Sequence, residues 1–307
     1  MANEMTYAAH GDLRLAAVLN REIYELMHDM VDLRGTMYNA GDPTGSGSAA
    51  IKIRQLSPDD IMGTPGEVTD TLPTAMGDGS ATVTVAERTL RYDVGDLFAA
   101  TSPDPQAEIS AVVRALYGGA IREASDLITD LYTGFATSEG NTGVVLTVDD
   151  IYDAQFAIQL QDNMDPTSYV VLHPKQWNEL QASLRGEGGA IQYSPETNAA
   201  LRAKTMGFKG SWNGHMFFTS NRIESDGTDY TGAMYSPGAL AIAEGSAQGA
   251  LSAMFGNVFA SVAIPGAPVW VEFQRDASKG LTECVGHYLV GVDENEDLKG
   301  VKIVSVD

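Results

Sequence analysis

The chain has 307 residues, 44% of them hydrophobic, enough to bury a sizeable core divided between two or three lobes. Its 41 acidic against 19 basic residues leave a net charge of −22, which opposes non-specific attraction to nucleic acid or to an anionic membrane. A single cysteine, Cys284, excludes an internal disulfide framework, and no activating neighbour marks it as a nucleophile, so a buried thiol is expected.

The first twenty residues carry acidic and polar side chains and no apolar h-region, so no signal peptide is expected. Apolar positions at Leu15, Val18, Leu19, Ile23, Leu26, Met27 and Met30 predict an amphipathic helix over Asp12 to Leu33, ended by Gly35. The following Ala40 to Ala50 is rich in Gly, Ser and Pro without a period, which reads as a flexible connector and makes the preceding helix an arm. Ile51 to Leu56 and Ala81 to Tyr92 alternate with a period of two and are expected to pair as a long hairpin, with a proline- and glycine-rich tip between them. A two-stranded hairpin is marginally stable alone in water, so it needs a partner surface, for which another subunit is one source.

Pro105 to Phe135 has the longest unbroken helical period, with Asp104 at the N-cap, Pro105 at N1 and Gly134 as the stop. At about 1.5 Å per residue it would reach roughly 45 Å, the length of a strut rather than of a core helix. Gly118-Gly119 in its middle predicts a bend or a close backbone approach. A second helix opens at Thr147, with Asp150 at N3. Ser168 to Leu172 reads as a buried strand leading through His173-Pro174 into a helix over Lys175 to Leu184, ended by Gly186, Gly188 and Gly189 in a loop. A short helix over Glu196 to Met206, a glycine turn and strand within Gly207 to Ile223, and a turn and strand within Met234 to Glu244 complete a mixed α/β lobe from about Leu146 to Ile264. Leu251 to Ile264 is the most apolar run, but Gly256 and Asn257 break it, so it reads as core and not as a membrane span. Val269 to Gln274, Thr282 to Val292 and Val301 to Val306 are expected to form an antiparallel region.

Motifs for catalysis are missing. The histidines His10, His28, His173, His215 and His287 have no paired-ligand spacing, and neither a nucleophile elbow nor a Walker-type loop occurs. Asp293 to Asp297 begins like a calcium loop, yet Leu298 stands where Gly is needed and Val304 where the bidentate Glu is needed, so a solvated turn is expected. Asp149, Asp150 and Asp153 are explained as carboxylates favoured by a helix N-terminus. No cofactor, metal or catalytic residue is assigned.

Arm, long hairpin, long helix, mixed α/β lobe and extended strands occur in an order that resembles the major capsid proteins of tailed bacteriophages, with the HK97-like fold. The pieces that carry the resemblance are Ser168 to Leu180, GFKGSWNGHMFFTSNRI (Gly207 to Ile223), Gly238 to Gly245 and Glu283 to Val292, and it runs from about Ala50 to the C-terminus. It implies an α+β chain divided into an N-terminal arm and connector (1–50), an E-loop hairpin (51–100), a peripheral domain with a spine helix (101–140 and 265–294) and an axial domain (141–264 and 295–307). It further implies a structural, non-enzymatic protein of the virion. Such a protein self-assembles in the host cytoplasm into pentamers and hexamers of an icosahedral head. Its partners would be portal, scaffolding and decoration proteins and enclosed double-stranded DNA bound without sequence specificity, with no membrane.

An encapsulin-type compartment shell is the alternative on the same fold, and a monomeric α/β hydrolase-like enzyme the more distant one. Lys52, Arg54, Arg88 and Arg91 in the hairpin region are the expected inter-subunit contacts. Some members of the family join a lysine of the E-loop to an asparagine of a neighbour. Here Lys52 is the only lysine of the region and Phe259 to Glu294 contains no Asn, so the shell is expected to be held without covalent crosslinks.

Overall fold

The computed structural model describes residues 4–5, 31–57, 77–102, 105–160, 167–186, 207–249, 261–263 and 268–307. The expected helix over Asp12 to Leu33 up to Met30, the expected helix over Glu196 to Met206, the hairpin tip, the glycine loop after Gly186 and most of Leu251 to Ile264 lie outside the described residues, as does Asp104. Val31 to Leu33, the end of the expected arm helix, are not helical but lead into a 3-10 turn at Arg34–Thr36.

In chain order the strands begin with β1 (Glu4–Met5), β2 (Tyr38–Gly41), β3 (Ala50–Ser57), β4 (Gly77–Thr84) and β5 (Ala86–Gly95). Helices α1 (Asp96–Thr101) and α2 (Pro105–Asp130) follow, then a 3-10 turn at Leu131–Gly134, β6 (Ser138–Gly140) and α3 (Val148–Gln159). Next come β7 (Ser168–Leu172), α4 (Pro174–Gly186), β8 (Phe208–Trp212), β9 (His215–Thr219), β10 (Asp229–Tyr235) and β11 (Leu240–Gly245). The chain closes with β12 (Ser261–Ala263), β13 (Val269–Asp276), β14 (Leu281–Glu294) and β15 (Gly300–Val306).

These strands form two sheets and a separate hairpin. The seven-stranded sheet is built on β14, which pairs with β5 along one edge and with β13 and then β11 along the other; β1, β2 and β12 complete it. The six-stranded sheet runs β6-β15-β10-β7-β9-β8, with only the β6/β15 and β7/β9 pairs parallel. An α/β-hydrolase sheet is mostly parallel, so that alternative does not fit.

Alternation along the central strands of the six-stranded sheet gives it two apolar faces. Val170, Leu172, Phe217, Met234, Val301 and Ile303 pack against α3 and α4, while Val171, Phe218, Ala233 and Tyr235 pack against the C-terminal half of α2 and the turn after it. The N-terminal half of α2 lies instead on the seven-stranded sheet, where Val112 and Leu116 meet Val94, Phe98, Val271 and Cys284. One helix therefore spans both sheets, which accounts for its length. Gly119 answers the expectation of a bend or a close approach: a Cβ there would stand 2.8 Å from Leu90 Cδ2 of β5, so the glycine admits a neighbour.

Local sequence signals produce the local structure. Thr147 and Asp150 form a reciprocal capping box on α3, with Thr147 N donating to Asp150 Oδ2 at 2.7 Å and Asp150 N to Thr147 Oγ1 at 3.4 Å. Pro174 starts α4, and the fully buried Gln176 in its first turn donates to the carbonyls of Tyr230 at 3.0 Å and Ile303 at 3.2 Å.

Four expectations are corrected. The strand over Ala81 to Tyr92 is two strands: β4 ends the hairpin at Thr84, Val85 N donates to Ala49 O at 2.8 Å, and β5 then pairs with β14, so the hairpin is shorter than 51–100. Gly207 to Ile223 holds a β8-β9 hairpin, turned at Asn213 (φ 53) and Gly214 (φ 84). The strand expected within Met234 to Glu244 is β11, and it belongs to the seven-stranded sheet and not to the α/β lobe. Finally, β15 does not join β13 and β14 but pairs with β10 in the other sheet.

Candidate assembly interface

The hairpin pairs β3 to β4 over eight residues, from Ala50 opposite Thr84 to Ser57 opposite Gly77, a length of about 26 Å at 3.3 Å per residue. Its alternation sorts the side chains. Ile51, Ile53, Val83 and the adjoining Val85 pack on Ala241, Ala243 and Leu289 of the seven-stranded sheet, so the partner surface that a two-stranded hairpin needs is supplied at its root by the same chain. Lys52 and Arg54 point the other way and are exposed. The other two expected contacts lie elsewhere: Arg88 and Arg91 are on β5, within the sheet, and are engaged inside the chain. Arg88 reaches Glu123 at 3.3 Å, and Arg91 reaches Asp93 at 2.5 Å and Glu283 at 2.6 Å.

A second surface was not legible in the sequence. The inner face of α3 buries Val148, Ile151, Ala154 and Ile158, while Tyr152 and Phe156 on the outer face, and Leu160 just beyond its last turn, are 42, 59 and 64% exposed. Their spacing of four makes one continuous apolar stripe. Tyr152 rests edge-on against Trp212 with ring centroids 5.4 Å apart; the rest of the stripe faces solvent.

The segment that leads out of the arm is held by ions. Arg34 grips both oxygens of Asp32 at 2.8 Å and reaches Glu244 of β11 at 3.1 Å, and Tyr288 of β14 donates its hydroxyl to the same Glu244 carboxylate. Burial alone would lower the Arg34 pKa, but Asp32 and Glu244 hold it well above the usual guanidinium value. Asp32 is pushed up by burial and pulled down further by Arg34, ending below the ordinary carboxylate range. Ser125 of α2 donates to Val31 O at 2.6 Å, fastening the same segment to the long helix.

A groove of about 330 Å³ runs between α2 and the seven-stranded sheet, with Leu90, Leu116 and Gly119 in its walls and Arg88, Arg222 and His287 among its polar groups. Arg88 pairs with Glu123, Arg222 with both oxygens of Asp126 at 2.5 and 2.6 Å, and Arg122 donates to the Gly118 carbonyl at 3.1 Å. His287 lies flat on Trp270, with ring centroids 5.1 Å apart, and its Nδ1 is 2.8 Å from Glu87. His173 stacks on Tyr230 at 3.7 Å, and His215 is buried against the Ser168 hydroxyl; burial lowers the pKa of both, so each is neutral near pH 7. His10 and His28 lie outside the described residues.

Asp293 to Asp297 is not a purely solvated turn. Asp297 Oδ1 accepts from Ala136 N at 2.9 Å and Asn295 Nδ2 donates to Gly238 O at 2.7 Å. Among the described residues no group of three or more His, Cys, Asp or Glu side chains is placed to hold a metal, and no helix is long and apolar enough to cross a membrane.

The sequence matches no protein-family model and no curated protein. Solved structures do match over almost the whole chain. The head structure of the Helicobacter pylori bacteriophage KHP40 is similar with a TM-score of 0.63 at 12% identity, covering 93% of this chain and 94% of that one. A chain from Mycobacterium phage Che8 gives 0.60 at 16% identity, with 92 and 94% covered. The SrpI encapsulin of Synechococcus elongatus gives 0.61 at 11% identity, with 94% of each chain covered. At such identities the likeness is one of backbone arrangement, and by it the chain has the HK97-like fold.

Proposed function

We propose that the chain is the major capsid protein of a tailed bacteriophage, assembling through pentamers and hexamers into an icosahedral head. The observation that carries this reading is the fold itself, matched over 92 and 93% of the chain by structures from two phages and combined with surface that one copy leaves exposed. The outward face of the hairpin presents Lys52 and Arg54, and α3 presents the stripe of Tyr152, Phe156 and Leu160. On a chain of net charge −22, an exposed lysine on the outward face of the hairpin suits an acidic face of a neighbouring copy. Contacts of this kind are heterologous, and when their rotation closes they build the rings that capsomers require. Portal, scaffolding and decoration proteins are the further partners, assembly takes place in the host cytoplasm, and the role is structural rather than enzymatic.

The acidic balance suits a container whose wall does not trap enclosed DNA. An encapsulin shares the backbone arrangement as well, so the contents of the particle decide between the head reading and the compartment reading. Purified particles treated with nuclease and then opened should release protected double-stranded DNA. Release of a folded protein cargo without DNA would replace the head reading with the compartment reading.

A further inference from the structure

Two segments of chain cross between the two sheets side by side, and the turn that follows α2 runs beside them. Residues 131–137 lead from α2 to β6, 236–239 from β10 to β11, and 295–299 from β14 to β15. Backbone hydrogen bonds stitch them together. Ser236 N donates to Lys299 O at 3.0 Å, and Asn295 N and Glu296 N both donate to Ala239 O at 2.8 and 3.0 Å. Two side chains add to the seam, Asp297 accepting from Ala136 N and Asn295 donating to Gly238 O. The crossing is thus a single joint, and Asn295 stands within it.

The hairpin reaches this joint. Gln55, near the far end of the described part of β3, donates its Nε2 to the Asn295 carbonyl, and the same nitrogen lies 3.4 Å from Asn295 Oδ1. Opposite it in the ladder is Gly79, where a Cβ would stand 3.1 Å from Gln55 Oε1, so the missing side chain leaves the amide its place.

This second attachment differs in kind from the first. At the root, Ile51 and Ile53 lie on the small side chains of Ala241 and Ala243, an apolar contact that is non-directional and tolerates sliding. One such attachment leaves a two-stranded ribbon free to swing. A directional bond from Gln55, two positions beyond Ile53, to a carbonyl fixed by the joint defines the line of the ribbon.

We propose that Gln55 is a positioning residue that registers the projecting hairpin on the joint between the two sheets, so that the hairpin's direction and the angle between the sheets change together. The inference rests on the hairpin and the joint alone and stands whether a shell encloses DNA or protein.

The test uses the full chain with spin labels at Lys52→Cys, on the outward face of the hairpin, and Asp149→Cys, at the start of α3. The native Cys284 is buried, and dilution with unlabelled chain removes distances between copies. The parent should give one narrow distance distribution. Gln55→Met keeps length and apolar contact but removes the donor; it should shift or broaden the distribution beyond the parent's spread and speed amide exchange at Asn295 and Glu296, with the unfolding midpoint unchanged. Gln55→Lys restores a donor at similar reach and should recover the narrow distribution. A parent distribution already broad, a Gln55→Met distribution identical to the parent's, or failure of Gln55→Lys to rescue would each overturn the proposal.

Discussion

Gly300, the first residue of β15, lies against the fully buried ring of Phe135, which follows the turn that ends the long helix. A Cβ on Gly300 would overlap the ring at Cε1, Cζ and Cδ1, and the ring, at 0% exposure, has no space to retreat into. Gly300→Ala should therefore destabilise the chain by about 3 kcal/mol, the upper range for an overpacked core. Chemical denaturation of the unassembled chain measures this, and a change below about 0.5 kcal/mol, the range of a neutral surface substitution, would contradict the packing described.

The capping box of α3 gives a smaller and independent effect. Thr147→Ala removes one half of the reciprocal pair with Asp150 and should cost about 1 kcal/mol, whereas Thr147→Ser should cost a few tenths because the hydroxyl is kept. Equal losses for the two variants would show that the cap is not what holds the first turn.

Two groups of carboxylates respond to pH with opposite signs. Burial and the neighbouring Asp297 and Asp293 raise the Glu294 pKa above its ordinary 4.5, and burial with Asp153 and Asp150 does the same for Glu139. An acid whose folded pKa is raised costs stability when ionised, and the cost vanishes as pH falls through the folded value. Glu294→Gln should therefore raise the unfolding midpoint near neutral pH, with the advantage gone below about pH 4. Asp32, held low by Arg34 against the effect of burial, contributes stability that is present above its unfolded value and lost as pH falls through the folded one. Asp32→Asn should lower the midpoint near neutral pH and make no difference in strong acid. The two pH profiles, compared side by side, check both signs.

Burial pushes the Cys284 thiol up to about 11, so it should resist alkylation near pH 8 in the native chain and react at once when the chain is unfolded. Rapid native labelling would show that the N-terminal half of α2 does not cover it.

Lys52 is the only lysine of the hairpin region, and no asparagine lies in residues 259–294 to receive it. Assembled particles boiled in detergent should run as a single band near 33 kDa, the size of the 32.6 kDa chain. A ladder of covalent multimers would contradict a non-covalently held shell.

Local chemistry was legible and the choice of strand partners was not. The period of the long helix, the Thr147 cap and the strand running through His173-Pro174 into α4 each follow from neighbours in sequence, and each stands in the structure. The change of partner at Val85 leaves no such trace, because Val83 and Val85 keep the two-residue alternation while the chain passes from the hairpin to the sheet. Likewise β11 looks the same whether it pairs with β10 or with β14, since long-range register is set by packing. The β8-β9 hairpin was readable from Asn213-Gly214, a turn signal between two apolar runs. Gln55 carries no signal beyond its place opposite Gly79, and the outer stripe of α3 is hidden because a helix apolar on two faces reads simply as buried.

Cryo-electron microscopy of the purified native particles tests the central claim most directly. The fold and its uncovered surfaces predict closed icosahedral shells, in which the outward faces of the hairpin and of α3 are covered by neighbouring copies. A dispersed monomer of about 33 kDa that never assembles, even with crowding or a scaffolding protein, would contradict it.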